Sequence, residues 1–314
     1  MSNAFLYPGQ GSQTVGMGHA LAEAFREARA VFDEVDDALG EKLSVTIWDG
    51  PLDKLTLTEN AQPALMMVSM AVMRVLEQAK GLKLASKVAF VAGHSLGEYS
   101  ALAAAGAISL GDTARLLRLR GKAMQAAVPV GAGAMAALLG IDAAGAQKAV
   151  EEAAQGDICQ VANDNDPSQV VISGTKAAVE RAGEIAKKYG AKRAMMLNVS
   201  APFHCALMQP AADAMRAALA DVTIHTPKVP VITNVLAAPI NAPDEIRKRL
   251  VEQVTGTVRW RESVMFMGAA GITHVYEIGA GKVLCGLAKR IVATLEAKPV
   301  GTPEDIEAVA AALA

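Results

Sequence analysis

In the N-terminal part of the chain, apolar runs end in glycine-rich turns that lead into helical patterns. Residues 4–7 form a short apolar run before a Pro-Gly-Gln-Gly turn, and a helical pattern follows over 17–39. A second apolar run at 87–92 leads into a turn at 93–97 and a small-residue helix at 98–105. The repeated order of strand, tight turn and helix predicts an α/β fold.

The pattern changes in the middle of the chain, where shorter elements follow one another closely. The predicted elements there are strands at 134–139, 158–162, 170–173 and 194–199 and helices at 142–154 and 175–189. Their order, βαββαβ, is typical of a ferredoxin-like domain. Strand and helix patterns then resume and end with a strand at 275–278. We therefore expect a small domain at 131–198 inserted in a large domain built from 1–130 and 199–314.

Composition and charge narrow the class of protein. The chain has 314 residues, of which 52% are hydrophobic, 20% charged and only 4% aromatic, which is typical of helices packed tightly on a sheet. A formal net charge of -2 provides no general basic field for binding nucleic acid or an anionic membrane. Neither is expected as a partner.

The termini and cysteines indicate the compartment. No basic region followed by a long apolar run opens the chain, and no stretch reaches the roughly 18 apolar residues of a membrane span. Cys159, Cys205 and Cys285 are widely spaced and include no CxxC pair, so neither a disulfide framework nor a metal site is predicted. We expect a soluble protein of the cytoplasm.

The turn at 93–97 has the sequence Gly-His-Ser-Leu-Gly, which matches G-x-S-x-G. In that motif the glycines allow a strained turn that exposes the serine hydroxyl at the edge of a sheet. A five-residue match also arises by chance in plain turns, but the apolar strand before it and the helix after it favour a nucleophile at Ser95. The Leu96 N–H, at the start of the helix, is the natural first donor to an oxyanion.

A second oxyanion donor must come from another loop. The glycine-rich turn around Gln10 is a candidate because it also joins a strand to a helix, although a plain tight turn explains it equally well. The turn lacks the Lys-Ser/Thr ending of a P-loop and the G-x-G-x-x-G spacing of a dinucleotide fold. Nucleotide binding is therefore disfavoured.

A serine hydroxyl needs a neighbouring base, and the chain has five histidines. His204 is favoured because it lies in a loop between a strand and the helix predicted at 206–219. His94 adjoins the serine and is expected to project elsewhere. The remaining three, His19, His225 and His274, lie in a helical pattern or at strand edges. No Asp or Glu occupies an obvious third position, so we expect a main-chain or amide oxygen to orient the imidazole.

Arg120 lies on the apolar face of its predicted helix. It is four residues after Leu116, three after Leu117 and four before Met124, so it shares their apolar face. An unpaired guanidinium is too costly to bury, and Arg120 therefore needs an anion. That anion is either a buried Asp or Glu or the carboxylate of a substrate, which arginine binds bidentately.

Several motifs follow one another along nearly the whole chain: Tyr-Pro-Gly-Gln-Gly-Ser-Gln at 7–13, Gly-His-Ser-Leu-Gly-Glu at 93–98, Arg120-Gly121, Asn-Asp-Asn at 163–165, His204, Gln253 and Glu-Ile-Gly-Ala-Gly-Lys-Val-Leu at 277–284. In this order they closely resemble the malonyl-CoA:acyl carrier protein transacylase family of dissociated fatty acid synthesis. The resemblance implies an α/β-hydrolase-like large domain with an inserted ferredoxin-like (βαββαβ) small domain. It also implies that Ser95 is the nucleophile, His204 the base, and the N–H groups of Gln10 and Leu96 the oxyanion hole.

The same resemblance implies roles for four further residues. Arg120 would bind the malonyl carboxylate, and Gln253 would orient the catalytic histidine through its main-chain carbonyl. Asn165 and His94 would lie beside the site as orienting residues. The implied reaction transfers malonyl from malonyl-CoA to the phosphopantetheine thiol of acyl carrier protein through a malonyl-serine, with no cofactor or metal. We expect a monomer.

The chain departs from the family pattern at three loops. Asp166 stands where Ser is usual in Asn-Ser-Pro, Thr257 stands where Pro usually precedes Val-Arg-Trp, and Ala280 replaces the Pro of Gly-Pro-Gly. The added charge at Asp166 leaves the role of that loop open. Phe203 resembles the bulky choice of malonyl-selective relatives, although plain packing explains it equally well.

Three other functions remain open. The same serine could hydrolyse its substrate, as in a thioesterase, or the chain could load acyl groups within a malonate decarboxylase or polyketide system. A binding protein on the same fold is the third. The basic residues Lys187, Lys188, Lys192 and Arg193 are a candidate docking cluster for an acidic carrier protein, and a solvated face is the alternative.

Overall fold

The computed structural model describes residues 2–314 and contains two β-sheets flanked by helices. The strands are β1 Asn3–Tyr7, β2 Phe90–Gly93, β3 Gly133–Leu139, β4 Cys159–Asp166, β5 Gln169–Thr175, β6 Arg193–Met196, β7 Val231–Ile232, β8 Pro239–Ile240, β9 His274–Ile278 and β10 Glu296–Val300. This is the mixed α/β fold that the sequence predicts.

Fifteen α-helices and three shorter helical segments are present within residues 2–314. The α-helices are α1 His19–Ala24, α2 Arg26–Leu39, α3 Leu43–Asp49, α4 Leu52–Thr56, α5 Thr58–Arg74, α6 Leu84–Lys87, α7 Gly97–Ala104, α8 Leu110–Ala126, α9 Ala143–Ala154, α10 Lys176–Ile185, α11 Gln209–Ala220, α12 Pro243–Thr255, α13 Trp260–Ala269, α14 Val283–Ile291 and α15 Pro303–Ala312. The shorter segments are π-helical at Val75–Ala79 and 3-10 at Ala186–Tyr189 and Ala206–Met208. Within this part of the chain, no helix combines the length and the apolar character needed to cross a membrane.

The larger sheet brings two glycine-rich turns to one edge. Its strand order is β10-β9-β1-β2-β7-β8, and all neighbours are parallel except β7 and β8. The central strand β1 is apolar and fully buried from Ala4 to Tyr7, as expected for a parallel strand covered on both faces. Tyr7 pairs with Gly93, so the turns after β1 and β2 leave the sheet side by side. Gln10 and Ser95 are thereby brought close together.

The smaller sheet is antiparallel, with strand order β4-β5-β3-β6. Helices α9 and α10 pack on it around a separate apolar core. Along the chain the elements follow the βαββαβ order predicted for this segment.

Strand β4 is longer than the predicted 158–162 because its far end pairs with β5, and it also bonds to a segment of the larger part of the molecule. The Val258 N–H donates to Ala162 O at 2.8 Å, and the Asp164 N–H donates to Val258 O at 3.0 Å. The Thr257 hydroxyl donates to Val161 O at 2.6 Å, a bond that proline at this position could not make. The extension carries Asn163 and Asn165 toward Ser95.

Several other element boundaries differ from the prediction. The helix expected at 17–39 is broken at Phe25, whose extended backbone ends α1 and begins α2. The strand expected at 87–92 begins only at Phe90, because α6 occupies the preceding turn. The strand expected at 194–199 ends at Met196, where its pairing with β3 ends, and the following residues line a cavity. The helix expected at 206–219 opens with a 3-10 turn.

Candidate active site

Ser95 lies in the sharp turn between β2 and α7. Its φ of 53° is in the left-handed region, which costs a non-glycine residue of order 1–3 kcal/mol. A Cβ at Gly93 would lie 1.9 Å from the Gly97 carbonyl, so the turn requires glycine at that position. This is the strained strand-to-helix turn that G-x-S-x-G predicts.

His204 is hydrogen-bonded to the serine. The Ser95 Oγ to His204 Nε2 distance is 2.8 Å, and His204 Nδ1 lies 2.9 Å from Gln253 O and 3.2 Å from Gly256 O. Because both carbonyls can only accept, Nδ1 carries the proton and Nε2 accepts from the serine hydroxyl. Main-chain oxygens thus occupy the position that an acidic side chain holds in a Ser-His-Asp triad.

Burial keeps the imidazole neutral. His204 is only 4% exposed, and burial, followed by the Arg120 charge, lowers its pKa to about 3. At neutral pH the ring is therefore neutral, and its Nε2 is able to take the serine proton.

Gln10 and Leu96 line the same cavity as Ser95, and their main-chain N–H groups are unpaired within residues 2–314. The cavity has a volume of about 350 Å³. The geometry thus leaves both available to a developing oxyanion.

Arg120 is 1% exposed and points its guanidinium at the Ser95 hydroxyl. Its Nη2 donates to Ser95 Oγ at 3.1 Å and to Gln253 Oε1 at 2.9 Å, and its Nη1 donates to Gln62 Oε1 at 2.7 Å. Its Nε is buried without a partner. All of its hydrogen-bond partners are neutral. The buried carboxylate of Glu98 is linked to it by hydrogen bonds only through Gln253, although it also acts on Arg120 as a nearby charge. Of the two predicted anions, this geometry favours a substrate carboxylate.

Gln253 connects the groups of the site. It is fully buried, and besides the His204 and Arg120 bonds its Nε2 donates to Ser95 O at 3.0 Å and to Glu98 Oε2 at 2.9 Å. Burial raises the pKa of Glu98 to about 7, although donors from Asn234 and Gln253 oppose the shift. A single amide side chain therefore fixes both the cation and the nucleophile turn.

His94 lines the cavity and forms a pair with Asn165, which lies beside it. His94 Nε2 lies 2.9 Å from Asn165 Oδ1, and the His94 ring packs against Trp260 with centroids 5.6 Å apart. Burial lowers the pKa of His94. His94 is thus bonded to Asn165 rather than to the serine hydroxyl, in keeping with the expectation that it projects elsewhere.

Sequence reasoning missed Asn234, which follows the two-residue strand β7. Its Oδ1 accepts from the Ser95 N–H at 2.8 Å, and its own N–H donates to Glu98 Oε2 at 2.9 Å. A polar residue directly after a buried strand that neighbours β2 was the available signal, but β7 is too short to be recognised by periodicity. Gln62 was missed for a different reason, because it lies within the almost wholly buried helix α5.

Asp166, one of the departures from the family pattern, links β4 of the smaller sheet to helix α14. It is 1% exposed, and its Oδ2 accepts from Arg290 Nε at 2.7 Å, while its Oδ1 accepts from the Ser168 N–H at 2.8 Å. Asp164 pairs in the same way with Arg261, at 2.9 Å. Both acids lie on β4, and both arginines belong to the helices after the 257–258 segment.

The basic cluster of the small sheet is partly neutralised. Lys187 pairs with Glu184 at 2.6 Å and Lys188 with Glu152 at 2.8 Å.

Within residues 2–314, no group of three or more His, Cys, Asp or Glu side chains is arranged to hold a metal ion.

Comparison with known proteins places the chain in a family. The family model described as acyl transferase domain matches residues 4–298, and the chain therefore belongs to the acyl transferase family. It is 50% identical to the malonyl CoA-acyl carrier protein transacylase of Escherichia coli K12 over 310 residues, which is 99% of this chain and 98% of that one.

Solved structures agree with this assignment. The acyl-carrier-protein-S-malonyltransferase from Bartonella henselae superposes with a TM-score of 0.97 at 59% identity, covering 100% of this chain and 99% of that one. A malonyl-transacylase solved in complex with its type II PKS acyl-carrier protein gives a TM-score of 0.95 at 45% identity, covering 99% and 100%. The resemblance noted in the sequence is thus confirmed over the whole chain.

Proposed function

We propose that this protein transfers the malonyl group from malonyl-CoA to the phosphopantetheine thiol of acyl carrier protein, as an [acyl-carrier-protein] S-malonyltransferase that supplies fatty acid synthesis. The transfer passes through a malonyl ester of Ser95, so the kinetics are ping-pong. Support comes from the relatives and from the geometry around the serine.

In the first half-reaction His204 Nε2 takes the Ser95 proton while Oγ attacks the thioester carbonyl. The main-chain N–H groups of Gln10 and Leu96 stabilise the oxyanion of the tetrahedral intermediate. The C–S bond then breaks, His204 returns the proton to the CoA sulfur, and the malonyl ester remains on Ser95. The carrier thiol repeats these steps in reverse, with His204 taking the thiol proton and returning it to Oγ.

The position of Arg120 is the observation that supports malonyl as the acyl group. Malonyl bears a carboxylate one methylene away from the carbonyl that reacts, so a cation that binds it must lie beside the nucleophile. Arg120 Nη2 is 3.1 Å from Ser95 Oγ, and its partners are neutral. An acyl group without a carboxylate would leave this buried charge without an anion.

The carrier protein is the proposed second substrate, as in the solved complex of a relative with a type II PKS acyl-carrier protein. Lys192 and Arg193, with the paired lysines beside them, remain the candidate docking cluster. We further propose an α/β-hydrolase-like large domain (1–130 and 199–314) with a ferredoxin-like insert (131–198). We also propose a cytoplasmic monomer that uses no cofactor of its own.

Intact-mass analysis tests the proposal. The wild type should gain one malonyl group from malonyl-CoA and lose it on adding holo acyl carrier protein, which gains it. Ser95→Ala should gain nothing, and Arg120→Ala should load malonyl far more slowly while keeping or gaining acetyl loading from acetyl-CoA. A ternary-complex kinetic pattern with no acyl-enzyme would overturn the mechanism, and release of free malonate in place of transfer would favour a hydrolase.

A further inference from the structure

Two buried polar residues of α5 connect opposite walls of the active site. Thr58 and Gln62 are one helical turn apart and are 1% and 2% exposed. Gln62 is bonded to Arg120 on one side, and Thr58 is bonded to the side chain of Gln10 on the other. Neither contact is needed to build the helix itself.

The hydrogen bonds run in one direction. Arg120 Nη1 donates to Gln62 Oε1 at 2.7 Å, and Gln62 Nε2 donates to Thr58 Oγ1 at 3.1 Å. The Thr58 hydroxyl in turn donates to Gln10 Oε1 at 2.9 Å. Each donor is thus polarised by the bond before it, and the series begins at a buried cation.

Gln10 depends on this series for its position. Gln10 is exposed and lines the cavity. Within residues 2–314, the Thr58 hydroxyl is the single hydrogen-bond partner of its side chain. The main-chain N–H of the same residue is a proposed oxyanion donor. Holding the side chain therefore limits where that N–H points.

The backbone around Arg120 fixes the other end. A Cβ at Gly121 would lie 2.4 Å from Glu59 Cα and 2.7 Å from Thr58 O, so α8 and the first turn of α5 approach as closely as backbones can. Arg118 Nη1 also donates to Glu59 O at 2.7 Å. Thr58 and its neighbour Glu59 are thereby held against Arg118 and Gly121, which lie on either side of Arg120 in the sequence.

We propose that Thr58 and Gln62 are positioning residues that couple the carboxylate site at Arg120 to the oxyanion donor at Gln10. This inference rests on the proposed function. Binding of an acyl carboxylate at Arg120 and correct placement of the Gln10 N–H then support each other. Selectivity for malonyl is consequently expressed in the rate of acylation and not only in affinity.

The test is single-turnover acylation by malonyl-CoA, followed by intact mass, for Thr58→Val. Valine keeps the shape and removes the hydroxyl that both bonds require. We expect the maximal acylation rate to fall about five- to tenfold, the equivalent of one hydrogen bond, with half-saturation changed less than about twofold. Thr58→Ser should restore the rate. Thr113→Val, which removes an equally buried hydroxyl of α8 that donates to Ser109 O, should match the wild type.

A double-mutant cycle with Arg120→Ala separates coupling from local support. If this series of hydrogen bonds acts through Arg120, Thr58→Val should change the remaining acylation rate of Arg120→Ala by less than about twofold. Equal slowing in both backgrounds would overturn the coupling, and so would a Thr58→Val rate equal to that of Thr113→Val. Gln62→Met breaks the other link with little change in size and provides the same cycle if Thr58→Val fails to fold. Absence of malonyl loading in the wild type would instead refute the proposed function.

Discussion

The side chain of Asn234 holds Ser95 in its strained conformation. Its Oδ1 accepts from the Ser95 main-chain N–H at 2.8 Å, and its Nδ2 donates to Gly93 O at 2.7 Å. These bonds fix both ends of the turn in which Ser95 has a φ of 53°. The cost of the left-handed conformation is thereby offset by groups outside the turn.

Asn234→Ala should therefore impair both stability and catalysis. It leaves the Ser95 N–H and the Gly93 carbonyl without their partner, which costs about 1–3 kcal/mol for a buried group. We expect the urea midpoint to fall and the maximal rate of malonyl loading to drop, with little change in half-saturation. Asn3→Ala removes a similar amide-to-carbonyl bond, to Lys87 O, at the far end of β1. That control should lose stability without losing rate, and an equal loss of rate in both variants would contradict the assignment.

Local spacing predicts part of this site. Ser95 is predictable because the glycines, the strand before it and the helix after it adjoin in sequence, and Arg120 is predictable because helical periodicity shows its apolar neighbours. Asn234 and Thr58 act through contacts with residues more than 40 positions away, and nothing near them in sequence signals those contacts. Their roles follow only from the packing of β7 and α5.

The fold shows the same division between local and distant causes. The βαββαβ order is encoded by local periodicity and was predicted. The extension of β4 to Asp166 was not, because residues 163–166 are polar and lack the apolar pattern of a strand. They pair with β5, and Asn163 also bridges to Val258, about a hundred residues later. The break at Phe25 also escaped prediction, because the apolar pattern continues across it.

Gln253 offers a way to separate orientation of the base from placement of the cation. Gln253→Ala keeps the main-chain carbonyl that accepts from His204 Nδ1 but removes the amide that accepts from Arg120. The variant also loses the bond from Gln253 to Ser95 O, but Asn234 still holds the turn. We therefore expect the rate of Ser95 modification by a neutral sulfonyl fluoride to stay within about threefold of wild type. Malonyl loading should fall about tenfold or more, because Arg120 loses one charge-assisted hydrogen bond. Equal losses in the two assays would mean that the side chain also orients the base.

The depressed pKa of His204 predicts an unusual pH dependence. With a pKa of about 3, the folded protein keeps the imidazole neutral far below the ordinary value of 6.5. Modification of Ser95 by a neutral sulfonyl fluoride should therefore keep a nearly constant rate as the pH falls from 8 to about 5. A wild-type decline centred near 6.5 would contradict the prediction.

Arg120→Ala provides the matched variant for that profile. The Arg120 charge is the second cause, after burial, of the low pKa of His204. Removing it raises the pKa, so the acid decline of the modification rate should move to higher pH than in the wild type. Superimposable profiles would show that burial alone sets the pKa. The comparison needs no malonyl binding and is unaffected by loss of the carboxylate site.

The ion pair between Asp166 and Arg290 predicts an asymmetric pair of variants. Asp166 is 1% exposed, whereas the Arg290 side chain is 52% exposed, so only the arginine can return to water when its partner is removed. Arg290→Ala leaves a buried carboxylate with only the Ser168 donors and should destabilise more than Asp166→Asn. We expect a difference of about 1–2 kcal/mol in the free energy of unfolding, measured in urea at pH 7.

Acid should also reduce the stability advantage of the wild type over Arg290→Ala. Burial alone would raise the pKa of Asp166, but the Arg290 and Ser168 donors outweigh burial and lower it. A carboxyl whose folded pKa lies below its unfolded value stabilises the fold above the unfolded pKa and loses that contribution as the pH falls through the folded pKa. The wild type should thus lose its advantage over Arg290→Ala as the pH falls below about 4. An advantage unchanged across this range would show that Arg290 stabilises the junction by packing and not by charge.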